Sequence, residues 1–181
     1  MTRHFSLKNI DWIKTIKAGE IIDISGIAYA FRDQAHKRLV ELRRAGNKLP
    51  VELKNKAVYY MGPTPPDKSG KVKAAGPTTS ARMEKYMEFM LKLGQKIFIG
   101  KGELSEESYA LLRKHQAVYL AAVGGAGAFL AKRLNYVKPV AFEDLGPEAL
   151  FEIEFSEFPL IVVSDLSGNN PLYKRGKQRN Y

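Results

Sequence analysis

The chain has 181 residues, no cysteine, and a net charge of +10 from 29 basic against 19 acidic side chains, with a pI near 9.7. Without cysteine it cannot form a disulfide, present a thiolate nucleophile, or by itself hold an iron–sulfur cluster or a thiolate zinc site. The histidines, His4, His36 and His115, share no tight ligand spacing, so no metal site of its own is expected. With 45% hydrophobic and 27% charged residues the composition is that of a soluble globular protein, and no apolar run approaches the roughly 20 residues of a membrane helix. The first residues, Met1-Thr2-Arg3-His4-Phe5-Ser6-Leu7-Lys8, lack the apolar stretch of a secretory signal, so a cytoplasmic location is expected. The length predicts a single domain over residues 1–181, with its core at about 15–172 and a basic tail at 173–181.

Residues 21–31 are rich in β-branched and aromatic side chains, interrupted by Gly26, and read as one or two strands. A helix follows over residues 32–44, with Asp33 as its cap, Leu39 and Leu42 on one face, and Gly46 at its end. Residues 57–61 form a strand. Residues 62–77 are a long loop rich in proline and glycine, and loops of that length in compact domains are more often functional than idle. From Thr78 a helix runs to Gly94, with Tyr86, Met87, Met90 and Leu91 as its apolar face. A strand at 96–99 meets Gly100-Lys101-Gly102, and a helix capped by Ser105 follows. A strand at 117–123 leads into Gly124-Gly125-Ala126-Gly127 and a short helix over 129–134. Residues 137–163 are mostly β. Alternation of strand and helix through the middle gives an α/β fold, a sheet packed by helices with additional β structure at both ends. Right-handed crossovers then gather the strand-to-helix turns on one edge of the sheet.

Those turns carry the chemistry. Arg32 stands where the first of these strands becomes a helix, Lys101 follows the strand ending at Ile99, and Gly124 and Gly125 follow the next strand. Gly76 and Pro77 let the backbone approach a ligand and begin a helix rigidly. Thr78 and Arg82, four apart, share a face of that helix, with Thr79 beside them. Helix N-termini attract anions, and arginine grips a carboxylate with two parallel hydrogen bonds. Arg32, Arg82 and Lys101 together suit a small dianion. His36 and His115 read as helix-surface or partly buried residues. The glycine turn at 124–127 does not match a dinucleotide fingerprint, and tight helix–sheet packing explains it more simply.

These residues also carry a family resemblance. Arg32-Asp33-Gln34-Ala35-His36-Lys37-Arg38-Leu39, Gly76-Pro77-Thr78-Thr79-Ser80-Ala81-Arg82-Met83, Gly100-Lys101-Gly102, Gly124-Gly125-Ala126-Gly127-Ala128 and Glu143-Asp144-Leu145-Gly146-Pro147-Glu148-Ala149-Leu150 resemble, in order, segments of the β-subunits of class I fumarases and L-tartrate dehydratases. Asp144 is an insertion beside the family pattern. The resemblance implies the swivelling β/β/α domain, a three-layer arrangement with a central mixed sheet. It further implies a 4Fe–4S cluster carried by a partner α-subunit, an α2β2 heterotetramer, and a place in the citric acid cycle. By the same resemblance Arg32 and Arg82 bind substrate carboxylates, Thr78 joins proton transfer as the catalytic residue, and Lys101 lines the site. Gly76, Pro77, Thr79, Gly124 and Gly125 support it. The implied reaction is reversible hydration of fumarate to L-malate, with L-tartrate dehydration as the alternative. A basic nucleic-acid-binding domain is the alternative from another class. Against it, the sequence lacks an aromatic RNA signature and a basic recognition helix.

Overall fold

The computed structural model describes residues 2–68, 71–168 and 170. The basic tail expected at 173–181 lies outside the described residues. The chain forms a mixed α/β structure around a central sheet. Its strands are β1 (Arg3–Ser6), β2 (Ile21–Ala30), β3 (Ala57–Tyr59), β4 (Ile97–Gly100), β5 (Val118–Ala121), β6 (Leu134–Ala141) and β7 (Leu150–Ser164). The helices are α1 (Asp33–Arg44), α2 (Glu84–Lys92), α3 (Glu106–Lys114) and α4 (Gly127–Ala131). No helix among the described residues is long and apolar enough to cross a membrane.

Strands β1 to β5 run parallel in chain order, and β7 lies antiparallel between β5 and β6. Strand β7 also pairs antiparallel with β2 along most of its length, from Ile21↔Ile161 to Ala30↔Phe151. The pairings β2–β3–β4–β5–β7–β2 therefore close on themselves. A bulge makes this possible. The register slips between Ile24 and Gly26, where Glu157 adopts φ 47° and its amide donates to Ser25 Oγ at 2.9 Å. An extra residue on one strand bends it and sharpens its twist, so one end of β7 serves β6 and the other serves β5.

The period-two alternation of a strand sorts the side chains into two cores. Ile22, Ile24, Tyr59, Ile97, Ile99, Val118, Leu120, Phe155 and Phe158 pack on one side of the sheet, covered by Trp12, Ile13 and Leu130. Val58, Tyr60, Phe98 and Tyr119 alternate with them and face the helices, against Ala35 and Leu39 of α1, Met87 and Met90 of α2, and Leu112 of α3. The apolar face expected around Met87, Met90 and Leu91 is buried core.

Several local expectations change. Asp33 is the first residue of α1 and not its cap; Arg32 takes that position in extended conformation, without a side-chain capping bond. Gly46, at φ +76°, does end the helix. The segment from Thr78 is not one helix. Thr78 and Thr79 are non-helical, a 3-10 turn covers Ser80–Met83, and α2 begins at Glu84. Backbone pairing wins here. Thr78 N–H donates to Tyr60 O at 2.7 Å, and Ser80 N–H to Lys101 O at 2.9 Å. Thr78 and Arg82 therefore do not share a helical face. Ser105 caps α3 as expected, its side chain accepting from the Ser108 amide.

Candidate active site

Strands β2 to β5 run parallel, and Arg32, Lys101, Gly124 and Gly125 sit just beyond the ends of β2, β4 and β5, with Gly76, Pro77, Thr78, Thr79 and Arg82 on the segment laid against them. Residues 60–68 and 71–80 are returned to that edge by their own hydrogen bonds. Thr64 N–H donates to Ala74 O at 3.1 Å, Asp67 N–H to Lys71 O at 2.8 Å, and Met61 bridges Pro77. The Tyr59 hydroxyl reaches from the core to Ala75 O at 2.7 Å, anchoring the start of Gly76-Pro77. A methyl on Gly76 would lie 3.5 Å from Gly127 Cα, so the glycine turn before α4 packs directly on the loop. Gly127 thus packs closely on the 74–76 loop, where helix–sheet packing was expected.

Thr79 and Lys101 form a parallel bridge, which sets the residues after β4 beside the 77–80 segment. Ser80 fixes this junction. Its buried Oγ accepts the Lys101 amide at 3.1 Å and lies 2.9 Å from the Tyr119 hydroxyl, which also contacts Gly102 O at 2.8 Å. A carbonyl can only accept, so Tyr119 donates to Gly102 O and Ser80 donates to Tyr119. One directed chain thus ties Lys101 N–H to Ser80, Tyr119 and Gly102. Gly102 adopts φ +84° and Gly125 φ +79°. A methyl on Gly124 would lie 3.6 Å from Lys101 Cδ, so the aliphatic stem of Lys101 runs along that turn.

The arginines are held by carboxylates. Arg82 Nη2 lies 2.9 Å from Asp33 Oδ2, linking the 3-10 turn to α1. Arg32 Nη2 donates to Glu148 Oε1 at 2.7 Å. Among the described residues no carboxylate lies within ion-pair distance of Lys101, and Thr78 Oγ1 carries no hydrogen bond. Arg82 is half-exposed and Arg32 is about three-quarters buried, with side-chain exposures of 55% and 24%. The edge is an open, cation-rich surface in which Arg32 donates to Glu148 and Arg82 lies beside Asp33.

His36 is not a surface residue. It is fully buried, with Phe31, Tyr60 and Tyr86 at ring-centroid distances of 4.5, 5.5 and 5.3 Å. Its Nδ1 lies 2.7 Å from the Arg32 carbonyl, so Nδ1 carries the proton and Nε2 is bare. Burial pushes its pKa down to about 4, against the opposing pull of the Arg32 carbonyl and the Asp33 charge. It supports the backbone of Arg32 as a neutral ring.

Glu148, Asp33 and Ser80 were not recognised as parts of this site from the sequence. Asp33 has the residue type of a helix cap, Ser80 falls within the predicted helix, and Glu148 lies 116 residues from Arg32 with no local signal. Asp144, the insertion, makes two contacts with Arg38 Nη1 at 2.6 and 2.8 Å, which hold its carboxyl below the usual carboxylate range.

The fold and the edge together define a mixed α/β chain that brings Arg32, Arg82 and Lys101 to one outward-facing strand edge. Comparison with known proteins places it further. The family described as Fumarase C-terminus matches residues 3–176, and the chain belongs to this family of class I fumarate hydratase and L-tartrate dehydratase β-subunit relatives. It is 37% identical over 175 residues to a Methanocaldococcus jannaschii protein provisionally named L(+)-tartrate dehydratase subunit beta, covering 93% of this chain and 89% of the relative. It is 32% identical to the L(+)-tartrate dehydratase subunit beta of Escherichia coli K12, covering 91% and 83% respectively. To the anaerobic class I fumarate hydratase of the same organism it is 34% identical, with 82% of this chain matching only 28% of that longer protein.

Proposed function

We propose that this chain is the β-subunit of a hydro-lyase that reversibly hydrates fumarate to L-malate, and that it completes an active site begun on a partner α-subunit. The observation that carries the reading is the convergence of Arg32, the 78–82 segment, Lys101 and the Gly124-Gly125 turn on one open strand edge. In this reading Arg32 and Arg82 each take one carboxylate of the dianion. Removal of the proton next to a carboxylate builds negative charge on that group, and fixed guanidiniums stabilise it as it develops. Lys101 supplies a further cation. Thr78 joins the proton transfer, its backbone fixed by the bond to Tyr60 O. A neutral hydroxyl is a weak base at its ordinary pKa, so Thr78 acts as a relay to a stronger base across the interface. The supporting glycines and Pro77 and Thr79 set the backbone around these groups.

The iron–sulfur cluster implied by the family does not fit this chain. It has no cysteine, and the described residues contain no group of three histidine, cysteine or acidic side chains suited to a metal. The 4Fe–4S cluster therefore belongs to the α-subunit in this reading, within a cytoplasmic α2β2 assembly of the citric acid cycle. The whole chain, residues 1–181, acts as one swivelling β/β/α domain. L-Tartrate dehydration is the second reading, favoured by the fuller coverage of the tartrate dehydratase β-subunits.

The test is an anaerobic assay of the chain co-expressed with its α-subunit, following fumarate by its ultraviolet absorbance and tartrate in parallel. Fumarate turnover that requires both chains establishes the reading. Turnover of tartrate alone replaces the substrate, and turnover of neither by a cluster-loaded complex overturns both.

A further inference from the structure

Arg32 is held by a residue from the far end of the chain. Glu148 Oε1 accepts from Arg32 Nη2 at 2.7 Å, and its other oxygen accepts the Gln34 amide at 3.2 Å. The carboxylate thus sits against the first turn of α1, where a negative charge is favoured. The opposite side of the guanidinium rests on Gly62. A methyl there would lie 3.0 Å from Arg32 Cζ and Nε and 2.7 Å from Pro147 O. Arg32 Nε is buried with no partner. One guanidinium nitrogen is engaged by Glu148, the group packs against the Cα of Gly62 where no side chain would fit, and Nε–H remains unpaired.

We propose that Glu148 is a positioning residue for Arg32, fixing the guanidinium so that its remaining donors meet a substrate carboxylate. This rests on the reading of Arg32 as a carboxylate ligand. An unrestrained arginine would have to be ordered by the substrate on binding, which weakens binding of any dicarboxylate. A scaffold role alone is a different claim. The segment carrying Glu148 also meets α1 through Arg38 and Asp144, with contacts at 2.6 and 2.8 Å, so a second tie to α1 stays in place when Glu148 is replaced.

Two measurements on Glu148→Ala and Glu148→Gln test this. In the full chain, nitrogen-15 NMR reads the Arg32 guanidinium, assigned by its loss in Arg32→Lys. Slow guanidinium rotation in the wild type that is lost in Glu148→Ala and kept in Glu148→Gln, whose amide oxygen can still accept, supports the proposal. Unchanged rotation in Glu148→Ala overturns it. In the anaerobic complex, Glu148→Ala should lower kcat/KM roughly tenfold, the scale of one charge-assisted contact, with recovery in Glu148→Gln. Unchanged kcat/KM in Glu148→Ala, or no recovery in Glu148→Gln, overturns it. If the wild-type complex turns over neither dicarboxylate, the hydro-lyase reading fails separately, and the NMR result alone decides whether Glu148 positions Arg32.

Discussion

Ser80 Oγ accepts the backbone amide of Lys101 at 3.1 Å, although the two residues belong to different elements and neither is a cap. This bond, with the Tyr119 hydroxyl at 2.9 Å from the same oxygen, sets where the lysine turn lies relative to the segment carrying Thr78. Ser80→Ala leaves the Lys101 amide without this acceptor and breaks the directed chain to Tyr119. The expected cost is about 1–3 kcal/mol, read by urea unfolding, together with a fall in turnover of the assembled enzyme. Unfolding at the wild-type midpoint would refute this role for Ser80.

Gly100 makes room for that bond. A methyl on Gly100 would lie 1.9 Å from Ser80 Oγ, far inside contact distance. Gly100→Ala must therefore displace the serine hydroxyl. The expectation is coupling: Gly100→Ala destabilises the Ser80→Ala background less than it destabilises the wild type. Equal costs in both backgrounds, in a double-mutant cycle by chemical denaturation, would show that the clash lies elsewhere.

Arg82 is half-exposed and pairs with Asp33 at 2.9 Å. Arg82→Ala is expected to keep the fold while lowering kcat/KM by roughly ten- to a hundredfold, the scale of one charge-assisted contact. Arg82→Lys keeps the charge but not the planar fork, so it should recover little. Circular dichroism and steady-state kinetics on the reconstituted complex check both parts.

His36 makes stability depend on pH. Its folded pKa is about 4, below its ordinary value of 6.5, because burial disfavours the charged ring. Above pH 6.5 the ring is neutral in both states and contributes no pH dependence. Between 6.5 and 4 the unfolded chain takes up a proton that the folded chain does not, so stability falls with acidification. The full loss, reached below pH 4, is about 3 kcal/mol. His36→Phe removes the titrating group. The difference in unfolding free energy between wild type and variant should therefore change across this window, whereas a constant difference would rule out His36 as the source.

Much of the frame was legible because its signals are local. β-Branched runs marked β2 and β5, Ser105 marked the start of α3, and the methionine spacing marked the buried face of α2. The placement of the candidate residues was legible from their positions at strand ends, since parallel connectivity alone puts Arg32, Lys101 and Gly124 on one edge. The 78–83 segment misled because its helical spacing competes with two backbone bonds, to Tyr60 and Lys101, that only the sheet provides. Asp33 looked like a cap because acidic residues favour helix starts, yet its partner Arg82 comes from another element. Glu148 was invisible as a partner of Arg32 because sequence spacing holds no information about a contact across 116 residues.

The closing of β7 onto β2 has a consequence for how the protein acquires its structure. Arg32 emerges early in synthesis, but the strand that completes its sheet and the carboxylate that holds it come near the other end of the described chain. Long-range pairings of this kind are reached late and slowly, because the intervening loop must be closed before they contribute. A nascent or truncated chain lacking residues beyond α4 would expose the edge of β2 and carry an unrestrained Arg32. Binding competence would then appear only once the last strand has docked, which couples completion of the fold to readiness of the site.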